Sequence, residues 1–144
     1  MKIDELIEIW TKDSVVDKTE LANEAIKIAQ LHSKYYNFFV YERLKLKALE
    51  TDYKKLKLEK HEFYTQGPNE ETRKKEWKMP AMGRPLKTDI PMYLDADSDL
   101  IELNLRISYQ TELVNFLESI LKSLINRGYN IKSAIDFIKF TNGA

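Results

Sequence analysis

Lysine and aromatic side chains are interleaved in the middle of this 144-residue sequence. Positive side chains can follow a flexible phosphate backbone while aromatic faces stack on unpaired bases, and neither contact reads the base sequence. The pattern is therefore typical of single-stranded DNA binding. Its candidate residues are Arg43, Lys47, Lys54, Lys55, Lys57, Lys60, His61, Arg73, Lys74, Lys75, Trp77 and Lys78.

The charge of the chain is unevenly distributed although its formal net charge is zero. Residues 1–42 carry 5 Lys/Arg and 8 Asp/Glu, residues 43–87 carry 13 and 7, and residues 88–144 carry 5 and 8. Such a distribution indicates a localised anion-binding zone in the middle of the chain. The alternative is that these lysines form only the solvated face of a helix.

Other residue combinations point away from catalysis. The one Gly-Lys-like element, Gly83-Arg84-Pro85, lacks the successive free amides and the Lys-Ser/Thr of a phosphate loop. His32 and His61 lack metal-ligand spacing, and no nucleophile, base and orienting group can be named together. The chain has no cysteine, which excludes thiolate sites and favours a reducing cytoplasm. We expect neither an enzyme nor a cofactor or metal ion.

The acidic run Asp95, Asp97 and Asp99 has the spacing of a calcium loop but not its other residues. It lacks the glycine at the sixth position, and Arg106 stands where the loop requires a bidentate glutamate. Asp97 or Ser98 is instead expected to cap a helix. No apolar run approaches the roughly 18 residues of a membrane span, and the acidic opening is unlike a signal peptide, so we expect a soluble intracellular chain.

The helical periodicity predicts a short helix over residues 3–10 and one long helix from Lys18 to about Gly67-Pro68. Asp17 would cap the long helix, with Glu20 in capping-box register. Steps of four and three residues mark the seam of a coiled coil. The seam comprises Leu21, Ala25, Ile28, His32, Tyr35, Phe39, Glu42, Leu46, Leu49, Tyr53, Leu56, Lys60 and Phe63.

The second half of the chain divides at its prolines. Residues 67–95 hold all four prolines and predict a long, basic, mobile loop. Residues 100–107 alternate apolar and polar side chains, as a short strand or a frayed helix start would. A helix is predicted from Ser108 to Arg127, capped by Gly128, with a last short helix after Ser133.

These elements predict a mainly α fold: a long helix plus C-terminal helices, with a short strand element as one of the two alternatives at residues 100–107, assembling into an oligomer of more than two subunits. We expect one compact domain with an N-terminal helical region (1–66), a loop (67–95) and a C-terminal oligomerisation region (96–144). The apolar face of that last region is wider than a two-helix seam requires. Its predicted oligomerisation residues are Ile107, Val114, Leu117, Leu121 and Leu124.

In three segments, at residues 16–25, 32–35 and 127–132, the sequence resembles the UvsY family of recombination mediators of T-even-type phages. VDKTELANEA, from Val16 to Ala25, follows the family's Ile-Asp-x-Thr-Lys-Leu-x-x-Glu-Ala, and residues 32–35 follow its Tyr-Ser-Lys-Trp. Residues 127–132 follow its Arg-Gly-Phe-Ala-Ile-Lys. The family's DNA-binding motif is partly kept: Lys60 stands where the family has Arg, and Leu58 stands where it has Lys, with Lys57 one residue earlier.

The resemblance implies a noncatalytic protein of DNA recombination, repair and replication in the cytoplasm of an infected bacterial host. It implies a hexameric or heptameric ring that binds single-stranded DNA and contacts both the phage single-stranded-DNA-binding protein and a RecA-like recombinase. Such a protein helps the recombinase replace the binding protein on DNA. The alternative is a coiled-coil adaptor without a role in nucleic-acid binding.

Overall fold

A computed structural model describes residues 1–143, and all of its regular secondary structure is helical. The helices within this range are α1 (Ile3–Asp13), α2 (Leu21–Gln66), α3 (Glu70–Lys74), α4 (Ile90–Asp95) and α5 (Ser98–Thr141). The predicted mainly α class is confirmed. Of the two alternatives for residues 100–107, the short strand is wrong and the helix start is confirmed, because these residues lie in the first turns of α5. None of these helices combines the length and apolarity that crossing a bilayer requires.

The chain forms two compact units, each described here by itself. The terminal unit comprises Met1–Lys45 and the chain from Gln110 onward, and the middle unit comprises Leu46–Tyr109. The predicted seam of α2 is confirmed as its buried side, since twelve of its thirteen positions are buried or half-buried and Ala25 alone is exposed. Glu42 and Lys60 are the two charged residues of that seam.

The core of the terminal unit is formed by α1, the first half of α2 and the second half of α5. Leu6, Tyr35 and Leu117 are fully buried together with Leu113 and Leu124. Burying each aliphatic side chain contributes roughly 1.5–3 kcal/mol. The leucines and valine predicted for oligomerisation, Val114, Leu117, Leu121 and Leu124, are buried here within a single chain, whereas Ile107 is half-buried in the middle unit.

The end of α1 is fixed by a buried arginine. Nη1 of Arg127 donates to the carbonyl of Asp13 at 3.2 Å, and Nη2 donates to the carbonyl of Ser14 at 3.0 Å. The guanidinium also lies 5.5 Å from the ring centroid of Trp10. These bonds satisfy carbonyls that a helix end leaves without intrahelical partners. They explain why α1 ends at Asp13, three residues beyond the predicted end at residue 10.

The start of α2 differs from the prediction by three residues. The Asp17 carboxylate accepts hydrogen bonds from the backbone N–H and the hydroxyl of Thr19, at 2.9 and 2.6 Å. It therefore closes a local turn instead of capping a helix at Lys18, and α2 begins at Leu21. The predicted end is confirmed, since α2 stops at Gln66 and Gly67 adopts φ +88°.

The last helix is longer than predicted. The N–H groups of Asp99 and Leu100 donate to Oδ1 of Asp97, so the expected cap at Asp97 is confirmed and α5 starts at Ser98. Gly128 was predicted to end a helix, but this is wrong, because Gly128 lies inside α5. Arg127 and Ile131 on either side of it are buried, and this packing outweighs the roughly 1 kcal/mol that a helical glycine costs.

Candidate nucleic-acid interface

The second half of α2 exposes most of the predicted basic side chains. Lys47, Lys54, Lys55, Lys57 and His61 are all exposed in the middle unit. Lys54, Lys57 and His61 follow one another at steps of three and four residues, so they share one side of the helix. This side can meet a phosphate backbone without rearrangement of the fold.

Arg43, the first residue of the predicted basic set, lies in the terminal unit. Its side chain is exposed, and its guanidinium carbon lies 5.1 Å from the ring centroid of Phe39. Stacking on an aromatic ring holds a guanidinium flat while its N–H groups remain free to donate. Arg43 therefore keeps its predicted capacity for an anion contact within its own unit.

One cavity of the middle unit gathers basic side chains from distant parts of the sequence. Lys57 and His61 of α2 and Lys87 of the loop before α4 line it together with the apolar Ile90 and Leu94. Lys87 was missing from the predicted set because it lies outside both basic clusters of the sequence. The signal that could have identified it is a lysine just before the helix start at Ile90-Pro91.

The predicted basic loop, residues 67–95, is partly helical. Arg73 and Lys74 lie in α3, followed by Lys75 and Lys78, and all four side chains are exposed. Nζ of Lys75 lies 3.4 Å from Oε2 of Glu59, with both side chains about half exposed. A surface ion pair of this kind contributes about 1 kcal/mol or less, so Lys75 can exchange it for a phosphate.

Lys60, which was predicted both for DNA binding and for the seam of α2, is buried. It is 4% exposed, and its Nζ lies 3.1 Å from Oδ2 of Asp97 and 2.7 Å from Oδ2 of Asp99. A buried ammonium needs such partners because the loss of hydration is otherwise uncompensated. The feature of the sequence that could have predicted this buried role is the position of Lys60 in the seam of α2.

Asp97 is the centre of a buried polar cluster that it forms with Tyr64, Lys60 and Asp99. Its Oδ2 accepts from the hydroxyl of Tyr64 at 2.7 Å, and its Oδ1 caps α5. Burial raises the pKa of Asp97, but the hydrogen bonds from Tyr64, Leu100 and Lys60 outweigh burial, so the pKa lies below its usual value. Burial and the hydrogen bond to Asp97 raise the pKa of Tyr64.

Trp77 is held against the core of the middle unit. Its ring meets that of Phe63 edge to face, with centroids 5.6 Å apart, and Lys60 Nζ lies 4.0 Å from its centroid. The sequence predicted a free stacking residue, because no apolar period surrounds Trp77. The structure corrects this: Trp77 is half-buried, and part of its ring is engaged by Phe63 and Lys60.

Comparison with known proteins agrees with this helical architecture. Residues 9–144 match the family described as recombination, repair and ssDNA binding protein UvsY. The chain belongs to the UvsY family. The resemblance noted from the sequence is thereby confirmed.

A UvsY relative is the recombination protein uvsY of Enterobacteria phage T4, which is 26% identical over 144 residues covering 99% of each chain. Crystal structures of the bacteriophage T4 recombination mediator protein UvsY share the fold. The lattice type II structure matches with a TM-score of 0.83 at 24% identity, covering 99% of this chain and 98% of that one. The lattice type IV structure matches at 0.79 and 23%, covering 98% and 99%.

The residues of the partly kept UvsY motif differ in their exposure to solvent. Leu58 and Lys57 are exposed on α2, whereas Lys60 is buried in the polar cluster with Asp97 and Asp99. Lys57 therefore presents the exposed charge of the motif.

The middle unit as a whole carries twelve Lys/Arg and twelve Asp/Glu, because acidic residues between 89 and 102 offset the basic ones before them.

Proposed function

We propose that this member of the UvsY family is a recombination mediator that binds single-stranded DNA and promotes loading of a RecA-like recombinase in place of the single-stranded-DNA-binding protein. Its partners are single-stranded DNA, these two phage proteins and further copies of the chain, in the cytoplasm of the infected host. The proposal rests on the family match and on one observation above all. That observation is the exposure of Lys54, Lys57 and His61 on one side of α2.

Electrostatic contact with phosphates suits the task of a mediator. Lysine side chains on a helix supply charge density without a fixed geometry, so they bind any base sequence. By holding the strand, the protein changes the relative affinities of the covering protein and the recombinase for the same DNA. The recombinase then gains access to nucleate a filament.

Self-association, as a hexamer or heptamer, would multiply this weak contact. Once one subunit engages a strand, the other subunits meet the same strand at high effective concentration. Large apolar side chains remain exposed along the end of α5, including Tyr129, Phe137 and Phe140. Exposed apolar surface of this kind is typical of protein interfaces. We therefore place the self-association surface at the end of α5 rather than at the buried Leu117 and Leu121.

DNA binding can be tested by salt-dependent fluorescence anisotropy with a labelled oligothymidylate. Lys54→Ala/Lys57→Ala should weaken binding and flatten the plot of log K against log salt by about 1.4, since each single-strand phosphate contact contributes about 0.7. The matched control is Lys12→Ala/Lys18→Ala, which removes two exposed lysines of the terminal unit that lie outside α5. The control should retain the wild-type slope. Equal slopes for all three proteins would refute binding through α2.

The loading step requires its own measurement. DNA covered by the single-stranded-DNA-binding protein should acquire recombinase filaments sooner when the wild-type chain is present, and Lys54→Ala/Lys57→Ala should lose this effect. A coiled-coil adaptor without a nucleic-acid role is the second candidate function, favoured by the buried heptad seam of α2. An adaptor would show no salt-dependent DNA binding in any variant.

A further inference from the structure

The buried polar cluster of the middle unit holds one cation between two anions. Lys60 Nζ contacts Oδ2 of Asp97 at 3.1 Å and Oδ2 of Asp99 at 2.7 Å. Because one positive charge neutralises only one of the carboxylates, the three residues together carry a net charge of about −1 near neutral pH. An excess negative charge beside a basic surface opposes the binding of a polyanion.

The two carboxylates are held very differently. Asp97 is buried, and both of its oxygens accept further hydrogen bonds, from Tyr64 and from the first turn of α5. Moving it would leave those donors unpaired, at a cost of roughly 1–3 kcal/mol each. The side chain of Asp99 is 46% exposed, and within residues 1–143 Lys60 is the partner its carboxylate contacts. Asp99 can therefore turn into solvent without disturbing the cluster.

The surroundings of Asp99 include cations that a nucleic-acid phosphate could contact. Lys75, Trp77 and Lys78 line the same cavity as Lys60 and Asp99. Lys75 and Lys78 are exposed cations, and Lys75 Nζ lies 4.9 Å from the centroid of the half-buried Trp77 ring, while the exposed Glu76 lines the same cavity. A strand drawn to Lys75 and Lys78 therefore approaches Lys60 from the side on which Asp99 lies.

We propose that Asp99 is an internal competitor for nucleic-acid phosphate: in the free protein its carboxylate occupies the position at Lys60 that a backbone phosphate takes when a single strand enters this cavity. This inference rests on the proposed function. The exchange replaces one anion by another on Lys60, so it adds little net affinity, and the strand is released readily. That property suits a protein that must pass its strand to a recombinase.

The salt dependence of binding distinguishes competition from a general charge effect. In the wild type, a phosphate reaches Lys60 only if the Lys60–Asp99 ion pair breaks, and that pair is strongest at low salt. In Asp99→Asn there is no such pair to break, so the slope of log K against log salt should steepen, by up to about 0.7. Its affinity gain over the wild type should then be larger at 50 mM than at 200 mM salt, by up to about threefold, by the same relation.

Glu102→Gln is the matched control. Glu102 is exposed on the next turn of α5 and loses the same charge, but it does not line the cavity. This variant should bind only slightly more tightly than the wild type, with an unchanged slope. The Lys60→Gln background adds a second measurement: there, Asp99→Asn should give no steeper slope, because the cation that receives the phosphate is gone. Circular dichroism will test whether each variant is folded. If Lys60→Gln unfolds, the comparison of Asp99→Asn with Glu102→Gln alone decides the question.

The outcomes separate the two proposals. If Asp99→Asn behaves like Glu102→Gln while Lys54→Ala/Lys57→Ala still weakens binding, the competitor role is refuted and the proposed function stands. An equally steep slope for Asp99→Asn in the Lys60→Gln background also refutes the competitor role. If the wild type binds no single-stranded DNA in a salt-dependent way, both proposals fail.

Discussion

The hydroxyl of Tyr64 donates a 2.7 Å hydrogen bond to Oδ2 of Asp97 in the middle unit. The terminal unit contains the same arrangement, in which Tyr35 donates to Oδ2 of Asp13 at 2.7 Å. Both tyrosines belong to α2, and each aspartate lies at the end of another helix, Asp13 closing α1 and Asp97 capping α5. In each unit, therefore, a tyrosine of α2 anchors the end of a neighbouring helix.

The pH dependence of stability should reveal the Asp97 cluster. Asp97→Asn keeps a capping side chain but loses the charge-assisted bonds to Tyr64 and Lys60, at an expected cost of about 2 kcal/mol at pH 7. Because the pKa of Asp97 is lowered in the folded state, its contribution is present above the unfolded value of about 3.9 and is lost as pH falls through the folded value. Urea unfolding at pH 7 and in more acidic buffers measures the difference between variant and wild type. That difference should be large at pH 7 and shrink below about pH 4.

Asp52→Asn provides the comparison, since Asp52 is exposed on α2 in the same unit. Trp77 reports on this unit in a Trp10→Phe background, where it is the one remaining tryptophan. A difference between Asp97→Asn and wild type that stays constant from pH 7 to pH 3 would contradict the role of the Asp97 charge.

Arg127 should be more important to the terminal unit than its charge alone suggests. Arg127→Met removes two hydrogen bonds to the carbonyls at the end of α1 and should lower the free energy of unfolding by about 2–3 kcal/mol. Arg127→Lys should recover only part of this loss, because an ammonium cannot donate in the planar, two-pronged geometry of a guanidinium. Urea unfolding followed by Trp10 fluorescence in a Trp77→Phe background measures the effect. Arg106→Met, at an exposed position of α5, should change stability little; equal losses for both methionine variants would refute the capping role.

Glu76 is the one non-glycine residue within 1–143 that has a positive φ, at 60°. It follows α3, where the N–H of Trp77 donates to the carbonyl of Thr72 as in a glycine-ended helix. Glu76→Gly should raise the free energy of unfolding of the middle unit by about 1 kcal/mol, because glycine adopts this conformation without strain. Lys75→Gly should instead destabilise the unit, since Lys75 is right-handed with φ −80°. Thermal melts of both variants test the pair, and a destabilised Glu76→Gly would be inconsistent with strain at this position.

Replacing Leu117 distinguishes the core from the interface. Leu117 is fully buried in the terminal unit, so Leu117→Ala should cost about 2–5 kcal/mol and Leu117→Asp should unfold the unit. Phe140 is 80% exposed, and Phe140→Asp should keep the helical content while lowering the mass measured by light scattering. A folded but dissociated Leu117→Asp would return Leu117 to the interface that its sequence pattern predicted.

The helical periodicity was sufficient to predict the buried side of α2. Ten of its thirteen seam residues are apolar, and a helix of that length must bury such a stripe. The break at Gly67-Pro68 was equally clear, because proline lacks an amide donor and disfavours helix in the residue before it. The local chemistry of Asp97, a short acceptor before an apolar run, correctly predicted a helix cap.

The same local rules failed where tertiary packing decided the outcome. Gly128 is a good helix end by propensity, yet buried neighbours on both sides carry α5 through it. The alternation at residues 100–107 comes from a helix that buries Leu100 and half-buries Leu103 and Ile107 while exposing Ile101 and Leu105. Charge density likewise located the basic side chains but not the buried role of Lys60, because its partners lie 37 and 39 residues away.

A polar pair in the terminal unit limits how its helices can align. Nε2 of Gln110 donates to the carbonyl oxygen of Glu42 at 2.8 Å and to its Oε2 at 2.7 Å, in a site where both side chains are buried. Apolar heptads are nearly interchangeable, so two such helices could slide past each other by seven residues and still bury leucines. A slip of that kind would move Gln110 away from both oxygens of Glu42 and leave its buried amide without this partner, while Glu42 would keep Lys45 of its own helix. The pair thus specifies the register of α2 and α5, and it lets a repetitive seam fold to a single alignment.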